Sequence, residues 1–415
     1  MKYVKRSIED IVLQSEKTFK SILVTGARQT GKSTMLKELF PEKKYVPMDD
    51  PFVEEQAKEQ PNMFMMLNPP PVIYDEVQRT PELFRYIKIK CDQSQERGLF
   101  CLSGSQPLEL MEDASESLSG RVSIIELSGL SMREIQGDAF HEPFVPTMEY
   151  VQERSKTVKP FDHIWEIIHR GSYPELQDPQ VEWSAFFSSY IKTYLERDVR
   201  ELSAVQNLDD FRKFMIAVAA RTGQMVNYAN IADEVGKDQT TIKRWMSVLE
   251  ASGIIYLLEP FTSSVLKRAI KTPKVYFRDT GLAAYLTRWL TPETLANGAM
   301  SGAFFETFVI SEILKSYSNR GIDYRYCVSY YRGRDKKIKG DSRAEREIDL
   351  IIEANGILYP IEIKKGASVS ADQTSAFTIL DQIPDKKRGM GAIICLCPQP
   401  GALRENILQL PIWYI

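Results

Sequence analysis

Three stretches of the sequence predict a multidomain α/β protein: a parallel sheet at the front, a helix-turn-helix in the middle and a second α/β unit at the rear. The first is Gly26-Ala27-Arg28-Gln29-Thr30-Gly31-Lys32-Ser33, set between the apolar run Ser21-Ile22-Leu23-Val24-Thr25 and the helix-forming residues 34–40. The second is a pair of helical segments divided by Gly236. The third is Asp349, followed at short range by Glu362-Ile363-Lys364.

The front stretch reads G-x-x-x-x-G-K-S, the pattern of a phosphate-binding loop between a strand and a helix. Its glycines let backbone N–H groups turn inward, so those donors and the positive end of the next helix cradle phosphate oxygens. Gly26 and Gly31 shape the cradle, and Lys32 reaches the β- and γ-phosphates of ATP. Ser33 holds Mg²⁺, and Thr34 follows as the next group on the cofactor-binding side.

Further strands follow in order. Met48-Asp49-Asp50-Pro51 closes a second, and Val72-Ile73-Tyr74 forms a third that ends in Asp75-Glu76. Leu99-Phe100-Cys101-Leu102 forms a fourth that ends in Ser103-Gly104-Ser105-Gln106, and residues 122–127 form a fifth. Short apolar strands alternating with helices make a parallel sheet covered on both faces, and ligands bind at the carboxyl ends of its strands. Asp75 is placed there to hold Mg²⁺ through water, and Glu76 to orient or deprotonate the attacking water. Ser103 or Ser105 is placed to sense the γ-phosphate. Arg121 reads two ways, as an arginine finger within one subunit or across two, or as a surface arginine before a strand.

Composition bounds the rest. A chain of 415 residues is too long for one compact core. A net charge of −3 neither demands nor excludes nucleic acid, because a small basic face can sit on an acidic whole. The five cysteines lack zinc-type spacing, and Cys101, Cys395 and Cys397 lie in apolar runs where free buried thiols are expected. Their odd number and the lack of a signal peptide predict a cytoplasmic protein. No run of about 18 apolar residues is present, so no membrane span is expected. Three histidines, His141, His163 and His169, make a histidine metal site or a Ser-His-Asp triad a poor reading.

Residues 136–205 read as a helical lid over the front sheet, with Phe187, Ile191 and Leu195 on a wide apolar face that closes at Glu196-Arg197-Asp198. Residues 206–265 carry the helix-turn-helix. Asn227 caps one helix, Gly236 ends it, and Asp238 caps the next, which runs to Ala251. Ala232 is the small residue where the helices cross, and Ile242, Trp245, Met246 and Leu249 form the packed stripe. Residues 253–258 and Val275-Tyr276-Phe277 supply a wing. Thr240, Thr241, Lys243 and Arg244 face outward, placed to meet phosphates and base edges of DNA; a protein contact by the same module is the other reading.

Residues 266–415 carry the rear motif. Glu347–Ile352 and Ile357–Lys364 pair as a hairpin about Glu353-Ala354-Asn355-Gly356. Alternation puts Glu362 and Lys364 on one face, and the hairpin brings Asp349 beside them. Asp349 and Glu362 are placed to hold Mg²⁺ or Mn²⁺, Glu306 to complete the cage from a helix, and Lys364 to position the hydrolytic water. The D-(x)n-E-x-K arrangement is of the restriction-endonuclease type, active or retained only as a fold. Residues 332–347 form a charged loop, solvated by default and able to grip a phosphate backbone.

The order of these motifs resembles a family of bacterial and archaeal AAA-type ATPases whose C-terminal half was long catalogued as a domain of unknown function. The resemblance rests on residues 23–33, on Tyr74-Asp75-Glu76-Val77-Gln78, on Leu102-Ser103-Gly104-Ser105 and on Ser119-Gly120-Arg121-Val122. It rests as well on Gly171-Ser172-Tyr173-Pro174, residues 194–199, Arg278-Asp279-Thr280-Gly281-Leu282 and residues 362–366. The family pattern has two glycines where this chain has Gly171-Ser172. The resemblance implies a P-loop NTPase (AAA-type) parallel sheet over 1–135, a helical lid over 136–205, a winged helix-turn-helix over 206–265 and a PD-(D/E)XK nuclease-like domain over 266–415. It implies ATP and Mg²⁺ at Lys32, Ser33, Asp75 and Glu76. Two functions follow as expectations: an ATP-driven switch on nucleic acid, or a nucleotide-gated module for a protein partner with an inactive rear domain. An oligomer fits either.

Overall fold

The computed structural model describes residues 3–105, 118–195, 207–261, 272–334 and 345–415. The front unit is a five-stranded parallel sheet of β1 (Ser21–Thr25), β2 (Lys44–Pro47), β3 (Val72–Asp75), β4 (Phe100–Ser103) and β5 (Val122–Glu126). The strand order is β2-β3-β4-β1-β5, with Leu23 of β1 opposite Leu102 on one side and Ile124 on the other. All five residues of β1 are buried, as an apolar strand covered on both faces must be. Helices Glu9–Thr18 and Lys32–Leu39 cover one face through Ile8, Val12, Met35 and Leu36. Helices Pro61–Leu67 and Leu83–Gln93 cover the other through Phe64, Phe84 and Ile87. The second strand ends at Pro47, and Asp50, expected at its end, instead caps the helix Pro51–Glu59.

A run of short helices follows, ending in Trp183–Tyr190 and a π turn at Ile191–Leu195. Glu196, Arg197 and Asp198 lie outside the described residues, as does most of the charged loop 332–347.

In the middle unit, Asn227 Oδ1 accepts from Asn230 N at 3.0 Å to start Tyr228–Val235, and Gly236 ends that helix at φ +74°. Asp238 Oδ1 accepts from Thr241 N at 2.9 Å to start Gln239–Ala251. Trp245 packs edge-on against Phe211 and Phe214 of a third helix, Leu208–Ala219, with centroids 5.3 and 5.4 Å away. Beside them β6 (Gln224–Met225), β7 (Ile255–Leu258) and β8 (Lys274–Phe277) form an antiparallel sheet in the order β6-β8-β7. That sheet corrects the division expected at 265/266, because β8 is hydrogen-bonded to β7 and belongs with the helices before it.

The rear sheet holds β9 (Val328–Arg334), β10 (Glu345–Ala354), β11 (Ile357–Ile363), β12 (Lys387–Arg388), β13 (Gly391–Cys395), β14 (Gly401–Arg404) and β15 (Ile407–Pro411). Its order is β14-β15-β13-β11-β10-β9, with β12 beside β11. Asn355 and Gly356, at φ +52° and +76°, form the two-residue turn between β10 and β11, the left-handed pair that a tight hairpin requires. The helix Ser301–Ser318 is buried nearly all round, because the short helices, the middle unit and the rear sheet all pack on it in one continuous core. Among the described residues no helix is long and apolar enough to cross a membrane.

Candidate functional site

The carboxyl ends of β1, β3 and β4 bring the front candidates together. Gly26 leaves β1 at φ +138°, and a Cβ there would stand 2.2 Å from the Leu127 carbonyl oxygen, so only glycine fits. Gly31 takes φ +92° and opens the helix Lys32–Leu39. The buried Lys32 ammonium donates to the carbonyls of Gly26 and Ala27 at 3.0 and 2.9 Å, which holds it in the mouth of the loop.

Three hydroxyls converge on the Asp75 carboxylate. Ser33 donates to Oδ1 at 2.8 Å, Ser103 donates to the same oxygen, and Tyr45 donates to Oδ2. Burial, then the bond to Asp75, holds the Tyr45 phenol well above its ordinary pKa, so it stays a donor. Glu76 has φ +56°, a left-handed conformation that is costly for a residue with a side chain. Its Oε2 accepts from Ser105 at 3.0 Å and from Gln78. Lys32, Ser33, Asp75, Glu76 and Ser103 thus share one site, and Thr34 is exposed on the helix beside it. A paired hydroxyl and carboxylate, next to an ammonium and a ring of backbone donors, fits Mg²⁺ and a phosphate chain in donor type and charge.

Arg121 is not in that site. Its carbonyl accepts from Ser21 N at 3.1 Å, at the amino ends of β1 and β5, and its guanidinium pairs with Asp92 at 2.5 Å. The five residues of β5 separate it from the carboxyl edge by about 16 Å. An arginine-finger role within one subunit is therefore corrected; only a second subunit can bring Arg121 to a phosphate. Arg121→Ala is expected to leave single-subunit ATP turnover within about twofold of wild type, measured by phosphate release under dilution.

Sequence patterns missed several residues here. Tyr45 carries no motif, and its place follows from the register Val46↔Tyr74 and Pro47↔Asp75. Arg6 is buried and ties the loop to the segment after β5, donating to Thr30 O at 2.8 Å and Ser128 O at 2.7 Å and pairing with Glu134 at 3.2 Å. Behind the loop lies a small cleft whose lining includes Ala27, Thr30, Ser128, Tyr173, Ile254 and Arg278. Arg278 reaches it from the middle unit and pairs with Glu126 at the end of β5. The neighbouring Asp279 accepts from Ser172 N at 2.6 Å and Ser172 Oγ at 2.8 Å. Serine at 172 thus adds a side-chain bond that a glycine lacks.

At the rear, Asp349 Oδ2 accepts from Ile363 N at 2.8 Å, and Lys364 stands 2.5 Å from Glu362 and 3.9 Å from Asp349. Glu306 accepts from Tyr276 at 2.5 Å and pairs with Lys274 at 3.3 Å; Lys274 also pairs with Glu347 at 2.6 Å. Burial and then the Asp349 charge push Glu306 up to about 7 and Glu362 up to about 8, and burial raises Asp349. Burial opposes the charge on Lys364, but Asp349 and Glu362 keep its pKa above the usual lysine value. The expected three-ligand cage of Glu306, Asp349 and Glu362 needs correction: among the described residues no three such groups stand as metal ligands. Lys274 and Lys364 hold the carboxylates instead. Glu362 Oε2 is buried and makes no hydrogen bond among the described residues.

Comparison with known proteins follows this division. A family model described as an AAA domain matches residues 18–136, and two domains of unknown function, DUF8612 and DUF4143, match 161–293 and 301–415. The chain is 27% identical over 364 residues to the uncharacterized proteins Mb2031c of Mycobacterium bovis and Rv2008c of Mycobacterium tuberculosis, covering 87% of this chain and 74% of each of them. Among solved structures, the Walker-type ATPase PABY2304 of Pyrococcus abyssi is 14% identical, with a TM-score of 0.40 over 67% of this chain and 94% of its own. AMPPCP-bound DnaA of Aquifex aeolicus is 16% identical, with a TM-score of 0.29 over 59% of this chain and 85% of its own. Over residues 18–136 the chain is similar to an AAA domain, and the loop, the parallel sheet and the Lys32, Ser33 and Asp75 cluster support nucleotide binding there.

Proposed function

We propose that the chain is a Mg²⁺-dependent ATPase that works as a nucleotide switch on nucleic acid. The observation that carries the ATPase half is the convergence of Ser33, Ser103 and Tyr45 on Asp75, one residue before Glu76 and beside Lys32. Lys32 and the loop N–H groups would hold the β- and γ-phosphates, and Ser33 with Asp75 would hold Mg²⁺. Bound Mg²⁺ neutralises charge that develops on the phosphate oxygens. Glu76 takes the proton of the attacking water, oriented by its bonds from Ser105 and Gln78.

The nucleic-acid half rests on the middle unit. We read its helices and three-stranded sheet as a winged helix-turn-helix, and the rear sheet as restriction-endonuclease-like. Lys243 and Arg244 are exposed on Gln239–Ala251, with Thr240 beside them. Lys243→Glu with Arg244→Glu is expected to weaken DNA binding and to reduce the slope of log affinity against log salt by about 2, read by fluorescence anisotropy. DNA affinity indifferent to salt would exclude phosphate contacts.

The second reading, a nucleotide-gated protein-interaction module with an inactive rear domain, is favoured by one observation: Glu306 and Glu362 are both engaged by lysines. Cleavage of DNA or RNA with Mg²⁺ or Mn²⁺, present in wild type and lost in Lys364→Ala, decides against it.

A further inference from the structure

The buried carboxylate of Asp75 is held at both of its oxygens, by donors from three separate elements. Ser33, on the helix after the phosphate loop, donates to Oδ1 at 2.8 Å, and Ser103 at the end of β4 donates to the same oxygen. Tyr45, on the edge strand β2, donates to Oδ2. The last torsion of an aspartate is broad and roughly two-fold, so bonds to one oxygen alone leave the plane of the carboxylate loosely set. Tyr45 supplies the bond on the second oxygen.

Strand register places Tyr45, and a cation fixes its ring. Pro47 stands opposite Asp75, so Tyr45, two residues earlier, shares that face of the sheet. Its side chain packs against the core that the helices Glu9–Thr18 and Lys32–Leu39 form on that face. The Lys37 ammonium lies 3.5 Å from the centre of the ring. Lys37 is one helical turn beyond Ser33, so the helix that carries Ser33 also grips the ring whose hydroxyl sets Asp75.

An account of the hydrogens gives this arrangement a chemical meaning. A carboxylate only accepts, so each hydroxyl must give it a hydrogen. A serine hydroxyl has one hydrogen and two lone pairs. Ser33 spends its hydrogen on Oδ1, which leaves its lone pairs for a cation. That holds only while Oδ1 faces Ser33.

We propose that Tyr45 is a positioning residue of the nucleotide site: its hydroxyl sets the Asp75 carboxylate, and through it Ser33, for a divalent cation. This inference rests on the proposed reading in which Ser33 and Asp75 hold Mg²⁺. Partners that orient metal ligands change metal affinity by about 10–100-fold. Tyr45 therefore acts on the affinity for metal. Metal-free nucleotide binding, which falls to Lys32 and the loop N–H groups, is independent of it.

The test is Mn²⁺ titration of the full chain saturated with a non-hydrolysable ATP analogue, in wild type, Tyr45→Phe and Asp75→Asn. The electron paramagnetic resonance signal of free Mn²⁺ reads binding, and fluorescence reads analogue affinity in EDTA. Phenylalanine keeps the ring and its place under Lys37 and removes only the hydroxyl. The expected result is Mn²⁺ affinity about tenfold weaker in Tyr45→Phe, with analogue affinity in EDTA within about twofold of wild type. Mn²⁺ affinity weakened in Asp75→Asn but unchanged in Tyr45→Phe would overturn the positioning role while keeping the metal reading. Mn²⁺ affinity unchanged in both variants would overturn both. Analogue affinity in EDTA that falls in Tyr45→Phe as far as Mn²⁺ affinity does would make Tyr45 a support of the loop itself, and would overturn the inference as well.

Discussion

Lys32→Ala is expected to lose ATP binding, whereas Glu76→Gln is expected to keep ATP bound and lose turnover by about 10²–10⁴-fold. The two side chains sit in one site but act on different quantities. Lys32 supplies the buried positive charge in the mouth of the loop, so its loss removes binding that is shared by ground and transition states. Glu76 is held by Ser105 and Gln78 in a left-handed backbone conformation, and the amide variant keeps that shape while removing the base. Equilibrium binding of a fluorescent ATP analogue, alongside phosphate release, separates the two. Hydrolysis unchanged in Glu76→Gln would remove Glu76 from the assignment.

The largest loss of stability is expected from Asp279→Ala, about 3 kcal/mol. Asp279 is buried, and burial raises its pKa. It caps the helix Thr280–Leu286 through Leu282 N at 2.7 Å and binds both the amide and the hydroxyl of Ser172. Alanine leaves the buried Leu282 N–H and the half-buried Ser172 N–H without acceptors at the junction of the short helices with the middle unit. Asp279→Asn keeps an acceptor and is expected to lose about half as much. Chemical denaturation of the three proteins checks the order; equal stability of the alanine variant would show that the junction contributes little.

Much of this architecture was legible because local chemistry and tertiary structure agree. Gly26 and Gly31 have the backbone freedom the loop needs, Asn227, Gly236 and Asp238 cap where their side chains dictate, and Asn355-Gly356 makes the tight turn. Asp75, Ser33 and Ser103 could be placed because ligands gather at the carboxyl ends of parallel strands. The sequence leaves Arg121 open, and only the strand order decides it, putting it at the amino end of β5, away from that edge. The residues that were not legible act at long range. Tyr45 reaches Asp75 only through the β2–β3 register, and Lys274, just before the expected wing strand, meets Glu306 on a helix far along the chain. Spacing shows neither. The rear cage failed for an electrostatic reason: three carboxylates on paper attract counter-charges, and the chain supplies two lysines of its own.

The measurement that tests the central claim most directly is the DNA affinity of the Glu76→Gln protein, with and without ATP and Mg²⁺, at fixed low salt. A nucleotide switch on nucleic acid predicts a difference of at least about tenfold between the two states. Identical affinities, or no DNA binding in either state, would contradict it.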